Sequence, residues 1–207
     1  MKILALSDEI VEHIYSPSIA KRMQDVDFVI SCGDLPSYYL EFIVTMLNKP
    51  LFYVFGNHHK DFINTEKGTK RNHPGGCINI DNRIVAYKDV LIGGLEGSIR
   101  YNAGKHQYTD FEMCLKINRL KPKLYLNKLF KKKYIDILVT HAPPYKIHDG
   151  EDLCHRGFKC FNKFIKAYKP KYLIHGHTHL YGTGSNWQTA AGSTKVINAY
   201  GYRIIEF

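Results

Sequence analysis

Five short apolar runs, Lys2 to Leu6, Asp27 to Ser31, Leu51 to Phe55, Ile135 to Thr140 and Lys171 to His175, are each bounded by turn residues and constrain this chain more than any other feature. Their length and β-branched content predict buried strands. Each run is followed at once by side chains able to hold a cation: Asp8, Asp34, Asn57 with His58, His141, and His177 with His179. In an α/β sheet the carboxyl ends of the strands form the crevice where ligands bind, so groups scattered in sequence can converge there. Gly33, Gly56 and Gly176 stand beside these residues, where the missing side chain lets the backbone turn sharply.

Helical spacing fits between the strands. Apolar residues recur with that period over Ser16 to Gln24 and Ser37 to Leu47, Ser37 being the expected N-cap of the second, so the chain opens as β-α-β-α-β. Asn82 to Tyr87 and Val90 to Gly94 are expected to pair across the Lys88-Asp89 turn. Pro122 is expected to divide a helix at Phe111 to Leu120 from another at Leu124 to Lys133, and Gly157 to Lys169 reads as one more. The tail, Val196 to Asn198 and Tyr202 to Phe207, reads as a terminal hairpin, and Lys60 to Gly76 as a long surface loop. No repeat, low-complexity tract or linker divides the chain, and its 207 residues, 44% of them hydrophobic, fit one domain over 1–207.

No run approaches the roughly 20 apolar residues of a membrane span, and the first residues do not lead into a signal-peptide cleavage site, so a soluble, cytoplasmic protein with no membrane partner is expected. Cys32, Cys77, Cys114, Cys154 and Cys160 include no C-x-x-C pair, which argues against a disulfide framework or zinc ribbon and for reduced, mostly buried thiols. A formal charge of +10 favours polyanions, either a small phosphorylated substrate or nucleic acid. Its densest cluster, Lys131-Lys132-Lys133, reads first as a solvated helix face.

Taken in order, Ser7-Asp8, Gly33-Asp34, Gly56-Asn57-His58, Thr140-His141 and Gly176-His177-Thr178-His179 resemble the calcineurin-like metallophosphoesterase family over about residues 3–180. The resemblance implies an α/β fold, a four-layer α-β-β-α sandwich with two central mixed sheets. It implies two divalent metal ions, with manganese favoured and iron, zinc, cobalt or nickel compatible with the donor set. By position, Asp34 would bridge the ions, Asn57, His141 and His177 would complete one site, and Asp8 with His179 would hold the other. A hydroxide between the ions would attack phosphorus, with His58 assisting the leaving group.

Three positions depart from the family pattern. Ile10 stands where the family's Asp-x-His carries its histidine, which leaves one site short of a ligand; Glu9, His13 or water are the substitutes, and a single-metal enzyme is the remaining alternative. Ser37 and His59 replace acidic residues that normally support ligands. His155 and Arg156, before a predicted helix, are candidates for substrate phosphate, and Tyr38, Tyr39, Tyr101 and Tyr145 for stacking on a nucleotide base.

The activity implied is hydrolysis of phosphodiesters or phosphomonoesters. The tail Pro170-Lys171-Tyr172-Leu173-Ile174-His175-Gly176-His177-Thr178-His179 resembles the branch of small, broadly acting phosphodiesterases. Two other readings stand beside it: a nuclease or nucleic-acid phosphatase, motivated by the charge, and a catalytically weakened metal-binding scaffold, motivated by Ile10.

Overall fold

The computed structural model describes residues 1–58, 63–64, 70–71, 73–180 and 186–207. Along the chain run β1 (Lys2–Ser7), α1 (Ile19–Arg22), β2 (Phe28–Ser31), α2 (Ser37–Leu47), β3 (Leu51–Tyr53), β4 (Ile63–Asn64), β5 (Lys70–Arg71), β6 (Ile78–Asn79), β7 (Ile84–Tyr87), β8 (Val90–Leu95), β9 (Ser98–Ile99) and β10 (Gln107–Tyr108). Then follow α3 (Asp110–Lys131), β11 (Ile137–Thr140), α4 (Lys159–Tyr168), β12 (Tyr172–His175), β13 (Gln188–Ala191), β14 (Thr194–Asn198) and β15 (Gly201–Glu206).

Two large mixed sheets result. The first has the order β15-β1-β2-β3-β6 and the second β13-β14-β12-β11-β8-β7. Within the first, β1, β2, β3 and β6 are parallel; within the second, β8, β11, β12 and β14 are parallel, and β7, β13 and β15 join as antiparallel edges.

Alternation along each strand assigns its residues to layers. Ile3, Ala5, Phe28, Ile30 and Phe52 of the first sheet meet Ile92, Ile137, Val139 and Ile174 of the second in one core between the sheets. The intervening Leu4, Leu6, Val29 and Leu51 pack outward on Ile19, Tyr39, Leu40 and Ile43 of α1 and α2. On the opposite side Leu91, Leu138 and Leu173 pack on Met113, Ile117 and Leu120 of α3 and Phe161 and Phe164 of α4. Both faces of each sheet are thus covered, which is why the strands are uninterrupted apolar runs. The expected four-layer sandwich is the observed one.

Several local expectations are corrected. Ser37 is the first helical residue of α2; the cap is Pro36, with no side-chain cap bond, and its extended backbone suits helix entry without a hydroxyl. Pro122 does not divide a helix: α3 runs through it, because the apolar stripe of Met113, Ile117, Leu120 and Leu124 is buried on both sides of the proline. The start of α3 is a capping box, Thr109 and Glu112 bonding each other's backbone N–H. The tail is no hairpin, since β14 enters the second sheet beside β12 while β15 crosses to the first and pairs with β1.

Of the predicted loop Lys60 to Gly76, most lies outside the described residues; its described backbone includes the β4–β5 pair. Cys32 and Cys160 are buried, but Cys77, Cys114 and Cys154 are only partly so. The β7–β8 hairpin forms as expected, with Lys88 in the left-handed region at its turn. No described helix is long and apolar enough to cross a membrane.

Candidate metal centre

Every expected ligand follows the carboxyl end of a parallel strand: Asp8 follows β1, Asp34 β2, Asn57 and His58 β3, His141 β11, and His177 and His179 β12. Three of them, Asp8, Asp34 and His177, hold positive φ of 63°, 54° and 67°. Non-glycine residues rarely adopt that conformation outside turns, and such strain gathers at sites where side chains must be aimed. The neighbouring glycine at 56 is a steric necessity, since a Cβ there would overlap Asp34 Oδ1.

Asp34, His141 and His177 bring one donor atom each within 4.8 Å of one another. His141 is fully buried. Its Nδ1 donates to the Cys32 carbonyl at 2.7 Å, and its Nε2 faces two acceptors, Asn57 Oδ1 at 3.0 Å and Asp34 Oδ2 at 3.2 Å, so a proton sits between them. The orientation of Asn57 is fixed from behind, because its Nδ2 donates to the Tyr101 hydroxyl at 3.0 Å. His177 Nε2 donates to the Cys154 carbonyl at 2.6 Å, so its Nδ1 is the nitrogen left for a ligand.

Asp34, His141 and His177 therefore bring three metal-binding groups together, with a proton on His141 between them. Burial pushes His141 down, but the Asp34 and Asp8 carboxylates outweigh it and raise the imidazole to about 9. For Asp34, burial pushes up, yet His141 and the His58 N–H, 2.9 Å from Oδ1, hold the carboxyl at about 2. Burial, with His141 beside it, lowers His177 to about 3, so that ring is neutral and available. Oxygen and imidazole donors of this kind fit a divalent transition metal, which would take the place of the proton between them.

The remaining expected ligands are not gathered into that cluster. Asp8 is half-buried, desolvation raises its pKa, and Oδ2 accepts the His177 N–H at 2.9 Å. His179 is exposed, its ring 4.7 Å from that of Tyr200. Of the substitutes for the missing ligand, Glu9 is exposed with its carboxylate beside Gly201, and His13 packs edge-on against Tyr202 at 4.9 Å. Ile10 itself packs against the core under α1 and α2. His59 lies outside the described residues.

The other candidates divide. His155 sits at the site, its ring 5.3 Å from that of His177 and its Nδ1 bonded to Asp152. Arg156 is exposed and does not begin a helix: α4 starts at Lys159, and the amides of Gly157 and Phe158 are already taken by Asp149 and the Pro143 carbonyl. Those two amides are therefore not available to a substrate phosphate. Tyr39 is sealed in the core beneath α2 and cannot stack on a base, whereas Tyr101 is a support for Asn57. The Cys32 and Cys154 carbonyls, which set both tautomers, left no trace in the sequence because every residue has one.

Two mixed sheets between helices, with Asp34, Asn57, His141 and His177 gathered at the strand ends, form the kind of fold and candidate metal centre found in metal-dependent phosphoesterases. The family model for calcineurin-like phosphoesterases matches residues 1–181, and the chain belongs to that family. Among solved structures it is similar to the TT1561 protein of Thermus thermophilus (TM-score 0.64, 18% identity, 97% of this chain and 89% of that one). It also resembles GAP50 of Plasmodium (TM-score 0.51, 14% identity, 96% and 70%) and a further crystal structure with a TM-score of 0.65 at 14% identity, over 99% and 94%. These likenesses are of fold. No curated protein sequence matches the chain.

Proposed function

We propose that this chain hydrolyses small phosphodiesters, a cyclic nucleotide being the preferred class, with phosphomonoesters as slower substrates and manganese as the favoured metal. The observation that carries the reading is the convergence of Asp34 Oδ2 and Asn57 Oδ1 on His141 Nε2 at 3.2 and 3.0 Å. Divalent ions bound there would supply a Lewis acid for the phosphoryl oxygens and an acidified water as nucleophile.

The chain's own residues do the rest. Asp34, Asn57, His141 and the Nδ1 of His177 would hold one cation, and Asp8 with His179 would hold another. His58 is exposed next to Asn57 and anchored through its N–H to Asp34, which puts an imidazole at the rim where it can give a proton to the departing oxygen. His155, its ring beside that of His177, would meet substrate phosphate.

The test compares wild type with His58→Asn on two diesters in manganese: one with an alkyl leaving group and one releasing nitrophenolate. General acid catalysis is worth about 10²- to 10⁴-fold and matters most for the poor leaving group. The variant should lose that much on the alkyl diester and far less on the nitrophenyl one, with metal content unchanged. Equal losses on both would remove His58 from this role.

A second reading rests on Ile10, whose packing into the core leaves Asp8 without the family's neighbouring histidine. Under it the chain keeps one cation and serves as a metal-binding scaffold. One bound metal and no turnover of either diester would favour that reading. A nuclease would instead show polymer binding that falls steeply with salt.

A further inference from the structure

Helix α3 is apolar on two sides. Its inner stripe of Met113, Ile117, Leu120 and Leu124 is buried against the second sheet. Its outer side carries a second apolar group in the last turns, with Tyr125 57%, Leu126 50%, Leu129 63% and Phe130 76% exposed. Leu126, Leu129 and Phe130 stand at i, i+3 and i+4, so they share one face. Phe111 and Leu115 extend that exposed face toward the start of the helix. Single exposed leucines need no explanation, but an aligned apolar stripe on a convex surface marks something that covers it.

The charges around the stripe identify the occupant. Residues 113–133 hold eight lysines and arginines and no aspartate or glutamate. Two of the eight are engaged inward, Lys116 with Asp81 and Lys133 with Asp136. Lys123, Lys128, Lys131 and Lys132 remain around the exposed leucines, with Lys128 Nζ bonding the Lys132 carbonyl and lying 5.5 Å from the centroid of the Tyr134 ring, and so pairing with no carboxylate among the described residues. A second copy of this face would bring like charges together. Duplex nucleic acid would meet the lysines but leave Leu126, Leu129 and Phe130 against phosphates. A convex helix with leucine and phenylalanine at its crest and lysines at its flanks suits the boundary of an anionic bilayer, where apolar side chains enter the acyl region and lysines reach lipid phosphates.

We propose that the C-terminal half of α3 binds peripherally to anionic membrane surfaces. The expectation of no membrane partner rested on the absence of an apolar span, and a surface helix needs none. The chain passes from the end of α3 directly into the start of β11, and the ligand His141 follows the opposite end of that strand. Docking through Leu126, Leu129 and Phe130 would therefore hold the metal centre away from the bilayer, open to soluble substrate.

Sedimentation of the whole protein with phosphatidylcholine vesicles, with and without phosphatidylserine, tests this. Wild type should pellet with the serine-lipid vesicles and stay in solution with phosphatidylcholine alone. Leu129→Ser with Phe130→Ser, and separately Lys131→Glu with Lys132→Glu, should each weaken vesicle binding by about tenfold or more, since both the apolar and the charged contributions are needed. All four side chains face solvent, so the thermal midpoints of the variants should match wild type. No pelleting with anionic vesicles overturns the proposal. So does equal binding by the serine variant, which would reduce the contact to charge alone. A wild-type dimer in analytical ultracentrifugation that the serine variant abolishes would assign the stripe to a second copy and equally overturn it.

Discussion

Asp8 Oδ2 accepts the backbone N–H of His177 at 2.9 Å, joining residues 169 positions apart. The bond ties the loop after β1 to the loop after β12, and so one sheet to the other at the strand ends. The His141 ring bonded to the Cys32 carbonyl at 2.7 Å is a second such tie. Ligand geometry at this centre is therefore inseparable from the way the two sheets are held together.

Gly176 sits at that seam. A Cβ there would overlap Ser7 Oγ and stand 2.5 Å from Asp8 Oδ2. Gly176→Ala should destabilise the fold by about 1–3 kcal/mol through overpacking and strain. It should also weaken metal binding, because relief of the clash moves Asp8 or His177. Urea denaturation with metal titration measures both, and a variant with wild-type stability and affinity would show the seam to be slack.

Lys116 is buried among carboxylates. Its Nζ lies 2.8 Å from Asp81 Oδ2, 3.3 Å from Glu96 Oε1 and 3.2 Å from the Tyr108 hydroxyl. Lys116→Met would leave Asp81 without its cation and Glu96 leaning on His106 and Tyr108, and should cost about 3–5 kcal/mol. The loss is read from the urea midpoint, and a cost under about 1 kcal/mol would mean that the carboxylates rehydrate freely.

The same cluster sets an acid limit. Burial pushes Glu96 up, but His106, Lys116 and Tyr108 outweigh it and lower the carboxyl from 4.5 to about 2. A carboxylate whose folded pKa is lowered contributes stability above its unfolded value, and that contribution drains as pH falls from 4.5 toward 2. Asp81, raised by burial and by Glu96, works in the opposite sense. Glu96→Gln removes the first effect, so its stability should fall less steeply across that window than wild type. Parallel pH profiles would contradict the assignment.

Pro122 interrupts the hydrogen-bond ladder of α3 without ending the helix. Pro122→Ala restores the missing donor and should stabilise the protein by about 1–3 kcal/mol, the range by which proline disfavours helix interiors, with helical content unchanged by circular dichroism. Destabilisation would indicate that the proline's shape is used by its surroundings.

That proline also marks a limit of what a sequence discloses. Pro122 is locally a strong breaker, and only the burial of Ile117, Leu120 and Leu124 against the second sheet, a tertiary fact, overrides it. The Thr109 and Glu112 capping box, by contrast, was written in the sequence as T-x-x-E and could have placed the start of α3 correctly. The span of α2, Ser37 to Leu47, was legible from its helical periodicity, although Ser37 is its first residue and not its cap. The tail was not, because a short apolar strand carries no label for the sheet it joins, and the step from Asn198 to Gly201 crosses between sheets instead of turning back.

At the site the same division holds. Asp34, Asn57, His141 and His177 were visible as ligand types after strands, and the fold brings them together. Glu9 and His13 were equally visible, and β15 claims their neighbourhood through Gly201 and Tyr202. Proximity in sequence to Asp8 did not decide which way they point.

The most direct test of the account is metal content of the purified protein, measured together with manganese-dependent hydrolysis of a chromogenic phosphodiester, for wild type and Asp34→Asn. The account predicts bound metal and turnover in wild type, with both sharply reduced in the variant, because Asp34 lies within reach of His141 and anchors His58. Full activity in Asp34→Asn, or a wild type that binds metal yet turns over no diester, would contradict it.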